Sequence, residues 1–457
     1  MLAPFIIIGV GGSGGKTLRT LRQTLLRRLR SKGWTEDLPA GWQFLEIDTI
    51  SAQSGDGFPA PVLPPNQYLG LVPTGVNYTG LQQATIQRIN QQDQLISLGG
   101  WLPQATPVPI QTGAGQFRTL GRAVVVSQLQ RVATRLNQAH QALTAPGVQG
   151  QLKAAAQLLN GKADGAMPAP IAIIVSSIAG GSGAGIYLDV VEALKSIDSG
   201  YYDRTHTFLY GPDVFNSVPA GMRDSIPANA LGAINENMAG LWANEPGEGS
   251  SVLFRSAGLI GQGTRGFGPK HTYLVGASNG QASFQTQHSV YHATGESLAT
   301  LVADDKVQEW MTNFIMTNVF VNSAIPIICE DNSRLKNDDN VFHMQPLAAI
   351  GVARVSLGLE RFTEYVAEGM ARATVEQLLW PQFAPQDPYD TRTPQQLVED
   401  AAAREWSNFL RESGLNERGD DNDVIDALAS ADLPDRTKSF AQKALTFAEQ
   451  GVDAVGL

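Results

Sequence analysis

Apolar and polar positions alternate along the chain in two rhythms. Short β-branched runs bounded by glycine predict buried strands at 5–8 (FIII), 42–48 (WQFLEID), 170–178 (PIAIIVSSI), 205–210 within THTFLYGPDVF, 271–279 (HTYLVGASN) and 348–357 (AAIGVARVSL). Between them lie stretches with helical spacing. Leu18, Leu21, Leu25 and Leu29 form one stripe, and further helices are predicted over 123–143, 186–197, 228–243 and about 284–321. Strands alternating with helices predict an α/β fold built on a doubly wound, mostly parallel sheet, whose ligands bind at the carboxyl ends of its strands. A Pro-, Gln- and Gly-rich stretch over about 54–110 reads as an insertion, and the tail from Pro381 as a helical extension.

Composition narrows the function. The formal net charge of −10 argues against nucleic acid as a partner, since phosphate-backbone binding needs clustered Lys and Arg. A single cysteine, Cys329, excludes a disulfide framework and fits a reducing cytoplasm. The opening apolar run LAPFIII is too short to span a bilayer, so no membrane insertion is expected. The 47 glycines are clustered, and the clusters carry the chemistry.

The first cluster, GVGGSGGKT (9–17), lies between a strand and a helix, where glycine lets backbone amides approach an anion. Its ligand stays open. Gly9, Gly11 and Gly14 match the dinucleotide fingerprint, with Asp48 as a ribose acid. A Walker loop would need glycine where Val10 stands. Ser13 sits in a G-x-S-x-G string, but the nucleophile elbow belongs in mid-sheet. The fourth reading is the first loop of a tubulin-like GTPase.

Two further loops decide. Gly180, Gly181, Ser182, Gly183, Ala184 and Gly185 follow the clearest strand, and TGAGQFRTLGRA (112–123) sets Gly113-Ala114-Gly115 five residues before Gly121-Arg122. In order and context these resemble the tubulin/FtsZ superfamily, in particular its divergent bacterial tubulin-like proteins, over about residues 5–300. The resemblance implies a GTP/GDP site. Gly11, Gly12, Ser13, Gly14 and Gly180–Gly185 would wrap the diphosphate with amides, and Gly113, Ala114 and Gly115 would cap the γ-phosphate. It also implies a water-mediated contact of Asp48 with Mg2+, ribose contacts from Asp213 or Asn216, and a guanine contact from Asn279, with Asn229 as competitor. Tyr291 is a candidate base-stacking ring, and Lys16 and Arg223 are candidate phosphate cations. Domains are expected at 1–282 (nucleotide binding), 283–322 (central helix), 323–380 (a reduced activation-type domain) and 381–457 (helical extension).

The family's acidic N-x-D-x-x-D loop does not occur. Glu330 and Asp331 are the substitutes for polarising water at a neighbouring protomer's nucleotide, with Asp338 and Asp339 as a second pair. No metal-ligand set is expected, and His288, His292 and Glu296 read as a polar helix face. The basic residues of helix 16–32 read as a solvated face. The expected function is a GTPase that assembles with itself head to tail into filaments. The alternatives are a non-polymerising nucleotide-binding module and, using the first loop alone, an NAD-binding enzyme.

Overall fold

Alternate residues of β1 (Phe5–Val10) face two different cores, Ile6, Ile8 and Val10 on one side and Phe5 and Ile7 on the other. A strand covered on both faces has no place for a polar side chain, which is why the run is uninterrupted. The computed structural model describes residues 1–53, 57–73, 75–90, 109–219, 223–243, 267–281, 283–314, 347–350 and 368–374, with a few isolated positions between these. The chain divides into two compact units, Met1–Val352 and Ala353–Leu457. Within the second, residues 368–374 are helical.

The first unit is built on a seven-stranded sheet in the order β3-β2-β1-β4-β5-β6-β7. Its strands are β1, β2 (Trp42–Asp48), β3 (Tyr68–Gly70), β4 (Ile171–Ser177), β5 (Thr205–Tyr210), β6 (His271–Val275) and β7 (Ala348–Ala349). Every pairing is parallel, with Phe5 in register with Trp42 on one side and Ile171 on the other. The chain leaves β1 toward β2 and later returns to place β4 against β1's other edge. The strand order therefore reverses between β1 and β4, and such a switch point opens a crevice at the strands' carboxyl ends.

Helices cover both faces. One layer holds α2 (Tyr78–Asn90), α3 (Arg118–Ser127), α4 (Leu129–Leu143), α6 (Gly181–Ile197), α7 (Tyr201–Arg204) and α8 (Ser225–Ala243). The other holds α1 (Gly11–Arg30), α5 (Val148–Leu158), α9 (Gln287–Ala303) and α10 (Asp305–Phe314). The α1 stripe of Leu18, Leu21, Leu25 and Leu29 is fully buried, and truncating one such leucine to alanine costs about 2–5 kcal/mol.

The described structure departs from expectation in three places. The stretch read as an insertion contains β3, an edge strand of the main sheet, and α2. The long helix expected over 284–321 is broken at Asp304, whose backbone is extended (φ −127°, ψ 113°) and whose Oδ1 accepts the Lys306 N–H at 2.9 Å. An aspartate that caps a new helix ends the old one. The basic side of α1 is engaged rather than solvated. Arg22 pairs with Asp37 at 2.6 Å, Arg27 with Glu296 at 3.6 Å, and Arg28 donates to Thr300 Oγ1 at 2.8 Å.

Candidate functional site

Helix α1 starts at Gly11 directly after β1, and α6 starts at Gly181, four residues beyond Ser177, the last residue of β4. Neither first turn contains an acidic residue, and neither N-cap (Val10, Gly180) makes a side-chain capping bond. Two helix amino ends thus bring amides without intrahelical acceptors, and two positive dipole ends, to one crevice.

Glycine lets these ends meet. Gly11 has φ +70°, and a Cβ there would stand 2.9 Å from the Gly183 nitrogen. A Cβ on Gly14 would collide with the Val175 carbonyl, one on Gly121 with Gly181 O, and one on Gly185 with Arg118 O. Around Gly12 and Gly180, by contrast, no protein atom lies within 4 Å of where a Cβ would be. Gly9, Gly11, Gly14, Gly121, Gly181, Gly183 and Gly185 therefore serve close backbone packing, whereas Gly12 and Gly180 border open space. Gly12 is exposed, and Ser13, Lys16, Gly180 and Ser182 are half-buried beside it.

The Gly113–Gly115 loop closes on the same point. Gly113 (φ +107°) and Gly115 (φ +54°) both use left-handed backbone. Gly115 O accepts the Gly181 N–H at 2.8 Å. From α8, the Asn229 amide donates to Gln116 O at 2.7 Å and Ala179 O at 3.0 Å. The end of β2 joins through hydroxyls, with Thr49 Oγ1 and Ser182 Oγ 2.8 Å apart. Asp48 is 6% exposed, and its Oδ1 accepts the Thr49 N–H at 2.6 Å. Burial pushes its pKa up, opposed by donors from Thr49 and Ser182 and by the charge of Lys16.

A second set of contacts ties the first loop to α9. Ser13 Oγ lies 3.0 Å from Tyr291 OH, which donates to Gln287 Oε1 at 3.3 Å, and Gln287 Nε2 reaches Ser217 Oγ at 3.4 Å. Thr17 Oγ1 lies 2.6 Å from Tyr210 OH. Asp213 Oδ2 accepts the Ala277 N–H at 2.6 Å, joining the loop after β5 to the loop after β6.

A family model described as "Tubulin like" matches residues 6–376 of this chain. The chain belongs to the tubulin-like family. Among solved structures it is similar to CetZ2 from Haloferax volcanii in a GTPγS-bound protofilament, at 16% identity and a TM-score of 0.31, over 65% of this chain and 58% of that one. It is also similar to TubZ of Bacillus thuringiensis serovar israelensis, in a GTPγS-form protofilament, at 13% identity and a TM-score of 0.28, over 66% of this chain and 55% of the other. The alignments thus span little more than half of either solved chain. No curated protein matches.

The tubulin-like chain brings Gly11, Gly12, Ser13, Gly14, Asp48, Gly113, Ala114, Gly115 and Gly180–Gly185 to one crevice between β1 and β4. Asp213 ties neighbouring loops together, while Asn216 is exposed and its carbonyl accepts Arg223 Nη1 at 3.1 Å. Asn279 is exposed on the loop after β6, where its Oδ1 accepts the Gln281 N–H at 3.1 Å. Asn229 is a clamp between two loops, because its amide donates to a backbone carbonyl in each, Gln116 O and Ala179 O. Tyr291 does not offer a face for stacking: it is 2% exposed and packs edge-on against Tyr210, ring centres 5.0 Å apart. Glu330, Asp331, Asp338 and Asp339 lie outside the described residues. His292 and Glu296 pair at 3.7 Å, and among the described residues no group of three or more His, Cys, Asp or Glu could hold a metal. Sequence reasoning missed Thr49, Gln287 and Ser217, polar residues at element ends that form no motif.

Proposed function

We propose that this protein binds a guanine nucleotide in the crevice between β1 and β4 and assembles head to tail in a nucleotide-dependent way. The observation that carries the reading is the convergence of two helix amino ends and the Gly113–Gly115 loop on one open spot beside Gly12 and Gly180. Such a nest suits a polyphosphate and needs no Walker lysine. Guanine and self-assembly come from the family. In this reading Gly11–Gly14 and Gly180–Gly185 hold the diphosphate, Gly113–Gly115 faces the terminal phosphate, and Asp213, Asn216 and Asn279 serve the ribose and base. Magnesium would ride on phosphate oxygens, since it keeps most of its waters. Asp48, buried and bonded to Thr49, would reach it only through water. Glu330 and Asp331 would act on the nucleotide of the adjoining protomer.

The strand order and the G-x-G-x-x-G string also suit a dinucleotide enzyme. Such an enzyme offers its β2 acid to a ribose hydroxyl, whereas Asp48 is buried and taken up by Thr49 and Ser182. Acid extraction of the purified protein, followed by chromatography of the released ligand, separates the two. GTP or GDP is the expected product; NAD would sink the proposal. Direct titration should show submillimolar binding of GTP and GDP and none of NAD.

A further inference from the structure

Helix α8 presents one face to the loop that caps the crevice. Asn229, Gly232 and Glu236 stand at i, i+3 and i+7 of that helix, the spacing of a single stripe. Asn229 holds Gln116 O and Ala179 O, so one amide links the Gly113–Gly115 loop to the end of the β4 segment. Gly232 leaves room for the guanidinium of Arg118, whose Nη1 would stand 2.9 Å from a Cβ at that position. Glu236 takes the same guanidinium in a fork, Nη1 to Oε1 at 3.0 Å and Nη2 to Oε2 at 2.6 Å. Arg118 is the first residue of α3, directly after the capping loop. All three positions therefore act on one short segment, 116–118.

In the arrangement so held, the loop turns a carbonyl toward the first residue of α6. Gly115 O occupies the Gly181 N–H at 2.8 Å. A terminal phosphate needs donors there, because it carries only acceptor oxygens at neutral pH. On the nucleotide reading above, in which Gly113–Gly115 faces the terminal phosphate, seating a third phosphate requires the loop to turn and Gly115 O to release that amide.

We propose that Asn229 and Glu236 form a clamp that sets the preference between nucleoside di- and triphosphate, by holding the Gly113–Gly115 loop in the state that tolerates the shorter ligand. They are positioning residues: they touch the loop, not the ligand. The inference rests on the nucleotide reading above and adds to it the group that tunes its selectivity. A clamp that binds one loop state shifts the equilibrium by its differential contact with the two states.

The test compares GDP with the slowly hydrolysed GTPγS by calorimetry, on wild type, Asn229→Ala and Glu236→Gln. Loss of the two Asn229 bonds should raise the ratio of GTPγS to GDP affinity about tenfold, the size of one to two net hydrogen bonds. Glu236→Gln, at a half-exposed pair, should raise it about two- to threefold, and it keeps the test alive if the buried Asn229→Ala variant fails to fold. Amides of residues 113–118 should exchange faster in both variants, which locates the effect in the loop. A ratio within about twofold of wild type in every variant that folds, or a ratio shifted toward GDP, overturns the clamp and leaves nucleotide binding standing. Wild type that binds neither ligand overturns the nucleotide reading and the clamp together.

Discussion

At the scale of single residues, the glycines of the crevice divide into those pressed against protein and those bordering open space. The division makes opposite predictions for one kind of substitution. Gly121→Ala and Gly185→Ala drive a methyl into the backbone of α6 and α3 respectively, so each should destabilise the fold by about 1–3 kcal/mol, read as a lowered melting temperature. Gly12→Ala meets nothing in the protein. It should leave the melting temperature of the ligand-free protein unchanged or slightly raised, since alanine favours a helix by up to about 1 kcal/mol over glycine. Its effect should fall on nucleotide affinity, about tenfold or more if a phosphate packs against that backbone. An unchanged affinity would remove Gly12 from the phosphate site. From sequence alone these glycines look equivalent. What separates them is which backbone lies opposite, and for Gly121 and Gly185 that backbone belongs to another helix, 60 and 67 positions away in sequence.

Among the elements, strands and helices were legible wherever burial imposes a regular period, and boundaries blurred where a polar residue intervenes. The β1, β2, β4, β5 and β6 runs and the α1 stripe appear where their patterns place them, because burial on both faces leaves a near-continuous apolar run in a strand and burial of one helix face leaves a trace at every third to fourth residue. The break at Asp304 carries no such trace, since an aspartate at a helix cap and one on a solvated helix face look alike in a string of letters. The short β3 was likewise hidden in a stretch rich in proline and glycine. A pairing in the sheet supplies a further test. His206 on β5 and His271 on β6 are in register and stacked, ring centres 5.4 Å apart. Burial lowers their pKa values to about 3 and about 4. Below the ordinary histidine value of 6.5 the unfolded chain takes up protons that the native pair refuses. Stability is therefore full above that pH and falls as pH drops toward the native values, at up to about 1.4 kcal/mol per pH unit per histidine. Asp189, pushed up to about 6 by burial on α6, acts in the opposite sense: its native form keeps a proton that the unfolded chain gives up. The informative quantity is the difference between proteins. His206→Asn should flatten the loss of melting temperature between pH 6.5 and 5 relative to wild type, and an identical slope would show that His206 titrates normally.

For the whole molecule, the proposed assembly and turnover are what remain to be tested. Phe117 and Leu231, 40% and 62% exposed, are large apolar side chains on elements that bound the crevice. If the head-to-tail assembly proposed above uses this end of the sheet, exposed apolar side chains such as these suit contact with a second copy of the chain. Leu231→Glu is expected to abolish GTP-dependent light scattering and leave nucleotide affinity within about twofold, as a charge placed in an interface should. Regular filaments from that variant would move the contact elsewhere. If the carboxylates near Glu330 act across subunits, GTP turnover per molecule should rise steeply with protein concentration, and a flat dependence would leave a binding module that does not polymerise.

The pairing of Phe5 with Ile171 also governs when the crevice can come into being. The two strands that frame it are brought together only by closing most of the preceding chain into a loop, and long-range parallel pairing of this kind is intrinsically slow. During synthesis the first glycine loop emerges early and waits for the Gly180–Gly185 loop, so a nascent or truncated chain ending before β4 lacks the crevice. A nucleotide bound there as proposed can act only on molecules that have already joined β1 to β4. It should therefore slow unfolding and leave the rate of folding nearly untouched.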